Sequence, residues 1–82
     1  TSPSAQSILA LAEMEYWSVA EQLLGRNADL QQKFQEPYGR YLLSRVVEAA
    51  LEQGDPSLAW PIVRVAVPPQ LSAWISHKTG RD

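Results

Sequence analysis

Residues 57–67, "SLAWPIVRVAV", decide the fold class. On a helical wheel the stretch is apolar on nearly every side. Only Ser57, Pro61 and Arg64 interrupt it, and these three share one stripe. A helix that is apolar almost all round belongs in the centre of a bundle. Yet "IVRVAV" is rich in β-branched residues and, as a short apolar run, reads equally well as a strand. Two physical arguments favour helix. Proline costs about 3 kcal/mol inside a helix but is tolerated in the first turn, where its missing N–H has no partner to lose. A lone strand in an otherwise helical chain would leave its backbone groups unpaired, and only pairing with a second copy would rescue it. The expectation is a buried helix that begins near Pro61.

The flanking sequence supplies the reason to call the rest of the chain helical. In "YGRYLLSRVVEAALEQGD", residues 38–55, Leu42, Leu43, Val46, Val47, Ala49, Ala50 and Leu51 make a broad apolar face. Tyr41, Ser44, Arg45, Glu48 and Glu52 make the polar one. Gly54 ends this helix, and Asp55 with Pro56 reads as a fresh cap and first helical residue. Upstream, "ADLQQKFQE" forms a short helix capped by Asn27 and ended before Pro37, since the residue preceding a proline is pushed out of the α region. Asp29 in its first turn and Lys33 four residues later suit the helix dipole and each other.

At the N-terminus, Ser2 is a cap candidate and Pro3 a first-turn proline. Ala5, Ile8, Leu9, Ala12, Tyr16, Val19, Ala20 and Leu23 then follow in steps of three and four. That spacing predicts one helix running to Gly25, with the glycine just past its end. Downstream, Pro68 and Pro69 start a closing helix over 69–79, with Leu71, Trp74 and Ile75 on one face and Gly80 as its stop. Trp60 and Trp74 are expected to pack together or to flank a groove. The whole chain, 1–82, thus reads as one all-α domain, a compact bundle of about five helices with short loops. Its start at Thr1 is what a processed chain, or a domain cut from a longer protein, would show.

Composition narrows the chemistry. The 82 residues are 45% hydrophobic and 20% charged, an ordinary globular balance. There is no cysteine, which removes disulfides, thiolate ligands and cysteine nucleophiles together, and leans towards a reducing, cytoplasmic setting. No apolar run approaches the roughly 20 residues that cross a bilayer. His77 is the only histidine, so no histidine pair can hold a metal. Ser76 is its immediate neighbour, and adjacent helix positions do not face each other; His77 reads as a solvated residue at a helix end. Glu48 and Glu52 are four apart and could hold a cation or do acid–base work, although two carboxylates on a polar face more often only solubilise it. No glycine-rich phosphate loop, dinucleotide fingerprint or calcium-loop spacing is present. No enzyme activity, catalytic residue, metal, cofactor or small-molecule substrate is expected.

Two kinds of partner fit better. "RVAVPPQLSAWISHKTGRD" resembles the turn and second helix of phage-repressor-type helix-turn-helix domains. That resemblance implies Gln70, Ser72, Ser76 and His77 at base edges, with Lys78 and Arg81 on phosphates. The double proline departs from the pattern by stiffening the turn, and "WPIVRVAV" lacks the polar positions of a solvated first helix. A net charge of −2 also lacks the basic excess that phosphate binding uses. A DNA-binding regulator is therefore the runner-up.

The preferred reading is a non-catalytic protein–protein interaction or assembly module, regulatory or adaptor in kind, whose partner is another protein or a second copy. In the N-terminal helix Leu11, Met14 and Trp17 lie off the main stripe, where a solvated helix should be polar. They are candidates for self-association, as in a homodimer, unless that helix is central and wrapped by the others. Tyr38, Tyr41 and Arg45 cluster at the start of the next long helix, and the four-residue spacing of Tyr41 and Arg45 suits a guanidinium over a ring.

Overall fold

In a computed structural model, which describes residues 4–67, every regular element is helical. The elements are α1 (Ala5–Glu13), α2 (Trp17–Gly25), α3 (Ala28–Lys33), α4 (Pro37–Glu52), a 3-10 turn (Pro56–Ala59) and α5 (Trp60–Ala66). The deciding stretch is helical as far as Ala66, first as the 3-10 turn and then as α5, with Pro61 in the first turn of α5. The strand alternative for 61–67 is thereby removed. Val67 then turns extended, at φ −109° and ψ 151°. It precedes a proline, whose ring disfavours the α region for the residue before it.

The N-terminal reading needs correction. The first cap is Ser4, which forms a reciprocal capping box with Ser7; Ser2 and Pro3 lie outside the described residues. The single long helix is two helices. At its end α1 closes in a Schellman motif: the Tyr16 N–H donates to the Leu11 carbonyl at 2.8 Å, and the Glu15 N–H to the Ala12 carbonyl at 3.0 Å. Glu15 takes the left-handed conformation at φ 68°, the one non-glycine residue to do so among the described residues. The turn lets α2 fold back and pack against α1, α3 and α5 instead of running on into solvent. It also resets the helical phase. Ala20 and Leu24 of α2 are fully buried, while Tyr16 and Val19, expected on the core side, are exposed.

The end of α2 departs from expectation as well. Gly25 is its last helical residue and the cap position is Arg26. Asn27 occupies the cap position of α3, but its side chain points backwards and donates to the Leu23 carbonyl at 2.7 Å. The Gln31 amide donates to the Leu24 carbonyl at 3.0 Å. Two side-chain amides thus satisfy carbonyls that a glycine turn would otherwise have covered.

Helix α4 is the central element. Glu36 is extended ahead of Pro37, which sits at the first helical position. Gly39, Leu42, Leu43, Val46, Ala49 and Ala50 form its buried arc, while Leu51, expected on that face, is 55% exposed. Gly54 adopts φ 85° and closes α4 in a second Schellman motif, with Asp55 N–H on the Ala50 carbonyl and Gly54 N–H on that of Leu51. Asp55 then caps the 3-10 turn by accepting from the Ser57 N–H. The core runs through Ile8, Leu24, Phe34, Val46 and Ile62, all fully buried, and no polar side chain is buried among the described residues.

Gly39 fixes where α4 can lie. A Cβ on it would fall on the Lys33 carbonyl oxygen and the Phe34 Cα at the end of α3. Both are backbone and cannot swing aside.

Gly39→Ala should lower the free energy of unfolding by about 3 kcal/mol or more, at the upper end of overpacking costs. Gly25→Ala, whose new methyl group meets nothing within 4 Å, should raise it by about 0.5 kcal/mol. Urea denaturation of the two variants beside the parent reads both signs. Glu15→Gly should stabilise by about 1 kcal/mol, because a left-handed residue with a Cβ carries roughly that strain. A higher thermal midpoint with unchanged helicity is the expected observation.

Candidate functional site

With the core wholly apolar, polar chemistry among the described residues is confined to partly buried and surface positions. Three features stand out: a latch at the α1–α2 corner, an aromatic face on α4, and an apolar groove beside α5.

The latch is built on Gln53, the residue that ends α4. Its carboxamide oxygen accepts from the Trp17 indole N–H at 2.7 Å, and its amide nitrogen donates to the Ala12 carbonyl at 2.9 Å. One side chain therefore ties the end of α1 and the start of α2 to the end of α4. Trp17, half-buried against the core, is held by this latch, and Leu11 also packs on the core. Of the three N-terminal partner candidates only Met14 stays well exposed, at 54%. Reading Leu11, Met14 and Trp17 as one patch assumed a single helix; the turn at Glu15 divides them between two.

Tyr38, Tyr41 and Arg45, by contrast, are brought together. Steps of three and four place them along one side of α4. The two tyrosine rings stack with centroids 6.1 Å apart and an interplanar angle of 27°. Gln6 of α1 donates its amide to the Tyr38 hydroxyl at 2.7 Å. Arg45 meets Tyr41 through the hydroxyl, Nη1 donating to it at 3.2 Å, rather than lying over the ring. Its Nε faces a Glu48 carboxylate oxygen at 3.3 Å. The Tyr41 hydrogen bond, helped by the charge of Glu48, raises the Arg45 pKa above its ordinary value; the guanidinium is a cation in any case. Glu48 and Glu52 border a small polar hollow with Glu13, Arg45 and Gln53. No group of three candidate ligands able to hold a metal ion forms among the described residues.

The groove lies between α4 and the unit made by the 3-10 turn and α5. Leu43, Val47, Trp60, Val63 and Val67 supply its apolar walls, and Arg40 and Ser44 lie at its rim. Its volume is about 500 Å³.

Sequence reasoning missed Gln6 and Gln53, while Trp60, expected to pack on Trp74 or to flank a groove, does line one. Gln6 and Gln53 act on partners 32 and 36 residues away, and nothing local marks them. The residues named for a DNA-reading helix, Gln70, Ser72, Ser76, His77, Lys78 and Arg81, lie outside the described residues, as does Trp74. No family model matches the chain, and no curated protein or solved structure matches it either.

Gln53→Ala should leave the Trp17 N–H and the Ala12 carbonyl without their side-chain partner. The expected loss is about 1–2 kcal/mol of unfolding free energy. In urea denaturation, Trp17→Phe combined with Gln53→Ala should cost less than the sum of the two single changes.

Proposed function

We propose that this domain is a non-catalytic protein-interaction module of adaptor type, and that its partner docks on the α4 face carrying Tyr38, Tyr41 and Arg45. The observation that carries the reading is the order of that face before any partner arrives. Both tyrosines are more than half exposed, at 54% and 52%, yet each hydroxyl is already held, one by Gln6 and one by Arg45. Immobilising a long side chain on binding costs about 0.5–1.5 kcal/mol; here much of that ordering precedes binding. Tyrosine and arginine are also the residues that most often anchor protein interfaces. Exposed rings supply apolar area with a polar tip, and the guanidinium keeps donors for a carboxylate or carbonyl of the partner.

The non-catalytic half of the reading rests on the sequence, with its single histidine, absent cysteines and lack of a glycine-rich loop. A cysteine-free chain also suits a reducing cytoplasm. The partner is another protein or a second copy of this one.

The test compares surface variants. Tyr38→Ala, Tyr41→Ala and Arg45→Glu sit on the exposed side of α4 and should leave the circular dichroism spectrum unchanged. Each should weaken partner capture, or self-association measured by light scattering, by about tenfold or more. Met14→Glu, at the separate α1–α2 corner, should not. Equal binding by all four variants and the parent would remove this face as the site.

A further inference from the structure

The turn at Glu15 is the strained point of the described backbone, and the tyrosine face makes no use of it. We propose that this turn is a hinge: it straightens to join α1 and α2 into one helix, and α1 then docks on the α4 of a second copy of this chain, giving a dimer by exchange of α1. This does not depend on the binding role of Tyr38, Tyr41 and Arg45.

Three observations converge on exchange. The first is the hinge itself. Helix α1 ends at Glu13 and α2 begins at Trp17, so three residues make the whole connection. The middle one, Glu15, is held at φ 68°, where a residue with a Cβ is strained. Short connections under strain are the ones that open into exchanged dimers. No glycine or proline lies between Ala5 and Leu24, so nothing local opposes a straight helix there. The second is the pattern. On a straight helix Ile8, Ala12, Tyr16 and Val19 share one stripe. The turn breaks that stripe: Ile8 and Ala12 are fully buried, whereas Tyr16 and Val19 are more than half exposed. Straightening restores it, and two exchanged copies meet at the hinge, where Tyr16 and Val19 gain cover. Met14 falls on the opposite side of the straight helix and gains none. The third is the fit. Helix α1 already has a site on α4, made by the buried Ile8 and Ala12, by the Gln6 amide on the Tyr38 hydroxyl and by the Gln53 amide on the Ala12 carbonyl. Exchange remakes these contacts with the α1 of the other copy.

The balance is then set by few terms. Strain at two hinges is relieved and apolar side chains are covered, against the lost freedom of two molecules. The exchanged form is therefore favoured as concentration rises. Its Gln53 joins chains instead of helices: Trp17 belongs to α2 and stays with its own body, while the amide donates to the partner's Ala12.

The absence of native cysteine allows a direct test in the full chain. Glu13 of α1 and Glu52 of α4 are exposed and border the same hollow. Chains carrying Glu13→Cys are mixed with chains carrying Glu52→Cys, unfolded together in urea and refolded at high concentration. They are then treated with the shortest bis-maleimide that links both positions within one doubly substituted chain. Exchange should give a covalent dimer on a denaturing gel, since the two cysteines then face each other across chains. Adding Glu15→Gly to both chains should cut the yield of that dimer by about tenfold or more, because glycine relaxes the turn and weakens the straight helix, twice per dimer. No covalent dimer from the mixed chains would overturn the proposal. So would a yield that Glu15→Gly leaves unchanged, because the copies would then be held together elsewhere than through the hinge.

Discussion

The arrangement hangs on a backbone-to-backbone approach. At Gly39 the first turn of α4 rests on the end of α3 so closely that no side chain fits between them. That contact sets the entry of α4 and holds Phe34, the largest fully buried side chain among the described residues, in one core with Val46 and Ile62. Everything of functional interest is then arrayed around α4. Its buried arc organises the core, one flank carries the stacked tyrosines, and the other flank walls the groove. A helix placed even slightly off would move all three together, because interiors packed to crystal-like density do not deform piecemeal.

Much of this was legible from residues. The helical nature of 57–66 followed from one proline and from the lack of any partner strand. Gly54, Asp55 and Pro56 announced the stop and restart that the structure contains, and Glu36–Pro37 marked the start of α4. What escaped was the turn at Glu15. No glycine or proline stands there, and the apolar spacing runs through Ala12, Tyr16, Val19 and Ala20 without a visible fault. The decision to turn is tertiary: a helix that folds back gains contact with α5, and that gain outweighs the cost of a left-handed glutamate. A helical phase carried straight across the break puts Tyr16 and Val19 inside and Trp17 outside, whereas the two former are exposed and Trp17 packs on the core. Gly39 was silent for a related reason, since the absence of a side chain has meaning only when the neighbouring backbone is known.

The candidate interaction face was half legible. The spacing of Tyr38, Tyr41 and Arg45 can be read along one helix, because three- and four-residue steps are local. The hydroxyl contact in place of a guanidinium over a ring depends on rotamers, and the Gln6 brace comes from another helix. Local chemistry thus located the face, and distant chemistry gave it its order.

The latch at Gln53 has a further implication. The core is built from aliphatic and aromatic groups alone among the described residues, and such cores tolerate sliding, since one methyl group can replace another at little cost. A carboxamide is less forgiving. It gives with one atom and receives with the other, here from two different helices. If α4 slipped by one residue, the side chain would be carried about 100° around the helix axis, and both bonds would fail together. The latch therefore works as a register gauge, rejecting alternative packings that the apolar core would tolerate.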